Sequence, residues 1–145
     1  MKFKIFILIF FMIVSFSLVG LCEEEKIGLI DLNADNYQEE VLECDTPVVI
    51  YFWAAWCKPC KTMSSIINWL AIFHEEKVKF VKVDVNKNRK FLDRFRPLRG
   101  LPLLIFFKNG EEVDRILGLV PFKIIHNKII FLLEENEEKE DLSKY

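Results

Sequence analysis

Two cysteines three positions apart, Cys57 and Cys60, lie between an apolar run and an amphipathic one, and no other feature limits the fold as much. Val48-Val49-Ile50-Tyr51-Phe52 precedes them and reads as a strand buried on both faces. After them, Met63, Ile66, Ile67, Leu70 and Phe73 recur at helical spacing over residues 62–73. The thiols therefore stand where a buried strand ends and a helix starts. Pro59 agrees with that placement, because a proline in the first helical turn removes an N–H that has no intrahelical partner. Unpaired N–H groups and the positive end of the helix dipole favour an anion there, so Cys57 is expected to ionise more easily than a free thiol. Lowering a thiol pKa from about 8.5 to about 7 needs roughly 2 kcal/mol and turns a few per cent of thiolate at neutral pH into about half. Cys57 is the expected nucleophile, exposed at the helix start. Cys60, one turn further in, is the expected resolving thiol.

The same pair could be half of a structural zinc site, which needs four sulfur or nitrogen ligands. The remaining candidates are Cys22, Cys44, His74 and His126, and none repeats a paired ligand spacing, so no metal is expected. Cys44 reads as a small, partly buried apolar residue. A chain of 145 residues with 52% hydrophobic content has room for one domain with a real core. Its formal charge of −2 gives no reason to expect nucleic-acid binding, and nothing in the pattern demands more than a monomer.

Residues 1–22 stand apart from that domain. Met1-Lys2-Phe3-Lys4 is a short basic start, Ile5 to Val19 is apolar apart from Ser15 and Ser17, and Gly20-Leu21-Cys22 leads into Glu23-Glu24-Glu25. This is the layout of a secretory signal peptide or of an N-terminal membrane anchor, though the apolar core is short for a span of about 20 residues. An extracytoplasmic protein is expected, periplasmic, secreted or membrane-attached. Lipid attachment at Cys22 is the less favoured route, because Leu21 stands where lipoprotein signals place a small residue.

Residues 23–135 read as alternating strands and helices. Ile27 to Leu32 is a first strand, and Asp35-x-x-Gln38 resembles a capping box opening a short helix through Glu43. Pro47 opens the central strand. The helix after the cysteines ends near His74, which reads as a favourable partner for the helix C-terminus. Val78 to Val85 is a third strand, and Asn88 caps a short helix carrying Phe91, Leu92 and Phe95. Leu103 to Phe107 and Glu112 to Leu117 flank Asn109-Gly110, a strong hairpin signal. A last helix runs from Phe122 to Leu133 with His126 beside its apolar stripe in a structural place. Acids dominate from Glu134, and residues 136–145 read as a frayed, solvated tail.

Trp56-Cys57-Lys58-Pro59-Cys60-Lys61 resembles the active site of the thioredoxin family. Further matches follow in the family's order: Lys82-Val83-Asp84-Val85-Asn86, Arg99-Gly100-Leu101-Pro102, Phe107-Lys108-Asn109-Gly110-Glu111 and Gly118. The resemblance spans roughly residues 27–135. It implies an α/β thioredoxin fold, a central mixed β-sheet flanked by helices on both faces. It also implies a thiol-disulfide oxidoreductase that needs no cofactor beyond a redox-active Cys57-Cys60 disulfide. By likeness Pro102 follows a cis peptide bond beside the cysteines, and Leu101 and Pro102 shape a substrate groove with Trp56 and Gly118 at its rim.

Several positions depart from the family pattern. Lys58, beside Pro59, replaces the usual glycine between the cysteines. Tyr51 occupies the place of a buried aspartate beneath the second cysteine, and Lys82, which matches that aspartate's lysine partner, loses its usual neighbour. Ser65 replaces a helix-kinking proline, and the stretch 96–100 is one residue longer than usual. These four side chains, Lys58, Pro59, Tyr51 and Lys82, are therefore expected to tune the site. The expected function is reduction of protein disulfides in exported proteins, the domain being kept reduced by a membrane redox partner. Lys58-Pro59 lacks the histidine found between the cysteines of oxidant and isomerase relatives, which favours reduction. An oxidant or isomerase of exported proteins is one alternative; a non-catalytic client-binding module is the other.

Overall fold

The structure, a computed structural model, describes residues 29–142. The segment 1–22, with its expected export or anchoring role, lies outside the described residues. Five strands form one sheet: β1 (Ile30–Asp31), β2 (Val48–Trp53), β3 (Lys79–Asp84), β4 (Leu103–Lys108) and β5 (Glu111–Leu117). Their spatial order is β1-β3-β2-β4-β5, with β1, β3 and β2 mutually parallel and β2-β4-β5 antiparallel. The central strand β2 is buried along almost its whole length, as a strand covered on both faces must be.

Alternation along β2 divides the core in two. Val49 and Tyr51 face helix α1 (Lys58–Phe73) and helix α2 (Phe122–Leu142), packing with Met63, Ile67, Leu70, Ile125 and Ile129. Val48, Ile50 and Phe52 face the other way. That second face is covered by two five-residue turns, a π-helical one at Gln38–Leu42 and a 3-10 one at Phe91–Phe95. Val41, Phe91 and Phe95 come from these turns and are buried. Burying such a side chain contributes about 1.5–3 kcal/mol, so a short turn that delivers an aromatic suffices as a lid.

The secondary-structure elements and their caps depart from the sequence reading in five places. Strand β1 is only two residues long within the described chain. No capping box forms at Asp35: the turn starts after Tyr37 without a side-chain cap, and the Gln38 amide donates to Glu43 instead. Asn36 accepts the Asn33 N–H and donates to the Asp31 carbonyl, while Asn33 accepts the Asp35 N–H. These local side-chain bonds satisfy the backbone in a non-helical path. The 3-10 turn starts after Lys90 with no side-chain cap, and Asn88 bonds back to the Asp84 carbonyl instead. Helix α2 continues to Leu142, so the stretch from Glu134 expected to fray has helical backbone to that point. His74 caps α1 through its backbone N–H, but its ring is buried, with 4% of the residue exposed. Its Nε2 lies 3.1 Å from His126 Nδ1 on α2. Burial, then the neighbouring His126 and Lys77, push the His74 pKa down, which favours the neutral ring over a cation paired with the dipole.

The β4-β5 hairpin turns through Asn109 (φ 53°) and Gly110 (φ 76°), the left-handed pair that such a turn requires. A Cβ on Gly110 would also meet the Leu42 carbonyl oxygen at 2.6 Å, so the hairpin tip presses against the π-helical turn. Among the described residues, no helix is long and apolar enough to cross a membrane.

Candidate active site at the start of helix α1

Strand β2 ends at Trp53, and the chain then turns sharply through Ala54-Ala55-Trp56, closed by a Cys57 N–H to Ala54 carbonyl bond of 3.1 Å. Cys57 is the N-cap of α1 in an extended conformation (φ −81°, ψ 102°), and Lys58 and Pro59 open the helix. Cys60 completes the first turn. The two sulfurs form a disulfide, with Cα atoms 5.3 Å apart. Lys58 and Pro59 are exposed between them.

Both cysteines are covered in this oxidised form: 4% of Cys57 and 1% of Cys60 are exposed. The exposed Cys57 expected from the sequence is not what the structure holds. The bond draws its sulfur in against Cys60. Trp56 beside it is 68% exposed and donates its indole N–H to Asn86 Oδ1 at 3.3 Å. Asn86 is itself set by its N–H bond to Asp84 Oδ1 at the end of β3.

Beneath the pair, Tyr51 is almost fully buried and donates its hydroxyl to the Cys60 carbonyl at 2.7 Å. Ser64 Oγ lies 2.9 Å from the same carbonyl and 3.1 Å from the Tyr51 oxygen. Burial raises the Tyr51 pKa, while the Ser64 contact pulls it partly back, so the phenol stays neutral across the physiological range. Lys82 is the register partner of Tyr51 on β3, and it has a neighbour after all: Asp31 on β1, 3.7 Å away. With Asp31 mostly exposed, such a pair contributes little.

The Leu101–Pro102 bond is cis, as the resemblance implied, and so is Arg96–Pro97 in the longer loop. The Pro102 carbonyl accepts the Gly118 N–H at 2.8 Å. Gly118 has φ +89° and nothing within 4 Å of a would-be Cβ, so the rim there is backbone facing open space. Ser65, at the proline position, is exposed on an unbroken helix.

A model of the thioredoxin family matches residues 28–130. The chain belongs to the thioredoxin family. It is similar to thioredoxin 1 of Nostoc sp., 38% identical over 86 residues that cover 59% of this chain and 79% of that protein. To thioredoxin C-2 of Corynebacterium nephridii it is 33% identical over 108 residues, 74% of this chain and 95% of the relative. Thioredoxin M4, chloroplastic, of Arabidopsis thaliana is 36% identical over 105 residues, covering 72% and 54%. The chain is thus a thioredoxin-type thiol-disulfide oxidoreductase that acts on protein disulfides through its own cysteine pair in place of a cofactor.

Three residues of this thioredoxin site escaped the sequence reading. Ser64 stands one helical turn after Cys60, a spacing that permits the contact without announcing it. Asn86 sits in a matched motif, yet its hold on Trp56 depends on how β3 ends. Arg115 on β5 donates to the carbonyls of Phe95 (2.8 Å) and Pro97 (3.2 Å) and pairs with Glu112, tying down the loop before Pro102. No sequence signal marks it.

Proposed function

We propose that this thioredoxin reduces disulfides of exported proteins, with Cys57 as the attacking thiolate and Cys60 as the thiol that releases the client. The observation that carries the proposal is the Cys57–Cys60 disulfide closed at the amino end of α1, in the core cluster against which Leu101 packs. A thiolate on Cys57 would stand at the N-cap, where unpaired N–H groups and the dipole favour negative charge.

The cycle balances as two exchanges. Cys57 thiolate attacks one client sulfur, forming a mixed disulfide and expelling the other client sulfur as a thiolate. Cys60 then attacks Cys57 Sγ, the mixed disulfide breaks, and the second client thiol leaves. Two electrons pass from the dithiol to the client, and the protein ends in the oxidised form. Tyr51, neutral and committed to the Cys60 carbonyl, is no base for the Cys60 proton, which goes to water or to the departing client thiolate. Trp56, Leu101, Pro102 and Gly118 frame the client chain, and Lys58 and Pro59 border the exposed side of the pair.

The signal-peptide-like layout of residues 1–22 supports an activity outside the cytoplasm, with a membrane redox partner supplying electrons. Two measurements test the proposal. Equilibration with glutathione buffers should give a potential well below the glutathione poise; a potential above it would make the protein an oxidant. Mass spectrometry of the native protein should find the N-terminus processed near Cys22. An intact Met1 on a soluble cytoplasmic protein would overturn the location.

A further inference from the structure

A cleft of about 350 Å³ lies beside the client groove, between the loop that precedes Pro102 and the ends of β4 and β5. Pro97, Arg99, Leu103, Arg115 and Leu117 line it. Leu103 and Leu117 are register partners across β4 and β5, so their side chains share one face of the sheet. Leu103 is buried at the floor, whereas Leu117 is 50% exposed, a large apolar side chain left half in water. Whole ligands occupy pockets of about 300–1,000 Å³, so one bulky side chain and part of its neighbour fit here.

The two arginines differ. Arg115 is answered by Glu112 and donates from Nη1 to the Phe95 and Pro97 carbonyls, which ties the loop wall to β5. Arg99 is exposed and has no carboxylate partner among the described residues. The cleft therefore offers an apolar floor, a rigid wall and one unanswered positive charge at the mouth.

Its position links it to the groove. Leu103 directly follows Pro102, Leu117 directly precedes Gly118, and Pro102 and Gly118 are joined by a 2.8 Å backbone bond. Leu103 and Leu117, each next in sequence to a member of that bonded pair, put the cleft at the same end of β4 and β5 as the Leu101–Pro102 bond.

We propose that this cleft is a specificity site that takes an apolar client side chain followed by an Asp or Glu, the carboxylate meeting Arg99. The inference rests on the reductase reading above and adds which clients the site prefers. Bulk apolar burial selects the side chain, and the exposed charge pair sets a modest sequence bias.

The test uses the full chain, reduced beforehand, in single turnover against peptides that each carry one cysteine in a mixed disulfide with glutathione. The residues three and four positions from the cysteine, on either side, are Leu-Asp, Leu-Lys, Ser-Asp or Ser-Lys. Attack by Cys57 and resolution by Cys60 release peptide thiol and glutathione and oxidise the protein, so no other reductant enters. Leu-Asp peptides should react about three- to fivefold faster than Leu-Lys peptides at subsaturating concentration. Arg99→Glu should invert that ratio, and Leu117→Ser should erase the advantage of Leu over Ser. Equal rates across the four peptides, or ratios unmoved by both substitutions, overturn the cleft as a specificity site. So does self-association of the chain that buries Leu117, seen by sedimentation. Failure to reduce any peptide or a small dialkyl disulfide instead overturns the reductase reading itself.

Discussion

The phenol oxygen of Tyr51 lies 2.7 Å from the backbone carbonyl of Cys60, so the residue beneath the redox pair holds the helix rather than the sulfur. Tyr51 and Ser64 bring two hydroxyl hydrogens to three oxygen contacts, and the carbonyl of Cys60 is the shared acceptor. A buried carboxylate in that place would exchange protons. This pair only fixes where the first turn of α1 sits.

Tyr51→Phe is accordingly expected to lower stability by about 1 kcal/mol, the usual net value of one hydrogen bond, and to leave the pH profile of mixed-disulfide resolution unchanged. Tyr51→Asp should add a second ionisation to that profile and speed resolution once the carboxylate is charged. Stopped-flow rates from pH 5 to 9, with urea unfolding of each variant, make the comparison. A profile identical in all three proteins, each shown to be folded, would mean that position 51 does not lie beneath the pair.

The two cysteines should divide their work. Cys60→Ser is expected to accumulate mixed disulfides between Cys57 and client proteins, since nothing then releases the client. Cys57→Ser should trap almost none, because Cys60 is buried within the first turn of α1. Non-reducing gels read the result. Equal trapping by both would refute the assignment, and trapping by neither would favour a binding module.

Acid should loosen the seam between α1 and α2. The His74 pKa is lowered in the folded protein, chiefly by burial, against about 6.5 when unfolded. Above pH 6.5 both states carry a neutral ring and the group has no effect on stability. As pH falls through 6.5 towards the folded value, the unfolded chain takes up the proton first, and stability declines until both states are protonated. Urea midpoints at pH 7.5 and 5.5 should differ in that direction, and His74→Asn should shrink the difference. An unchanged difference would assign the acid sensitivity elsewhere.

Gly110→Ala should destabilise the fold by about 1–3 kcal/mol, because alanine must hold φ +76° and its Cβ meets the Leu42 carbonyl. A thermal melt suffices. A shift within error would mean that the hairpin and the Gln38–Leu42 turn can separate freely.

What could be read from the sequence was what is local and periodic. The burial of Val48 to Phe52, the Asn109-Gly110 turn and the helix opening between Cys57 and Cys60 each depend on neighbours within a few residues. The cis bond before Pro102 and the place of Gly118 beside it came from the ordered motif matches. Asn33 and Asn36 defeated the capping reading because two short amides competed for the same N–H groups. The Ser64, Asn86 and Arg115 contacts, and the pairing of Lys82 with Asp31, need strands and helices already in place. His74 read as a cation only because its sequence position cannot say that α2 lies over it.

The two edges of the sheet complete the account. One is β1, two residues long in the described chain; the other is β5, which carries Glu111, Glu112, Asp114 and Arg115. Unpaired edges invite other extended chains to add on, and short or charged edges discourage it. An oxidoreductase that acts on protein disulfides meets other polypeptide chains in its work. Short and charged borders leave an extended chain of a protein substrate little sheet edge to add to, so stray strand pairing, which would seed aggregates, is disfavoured.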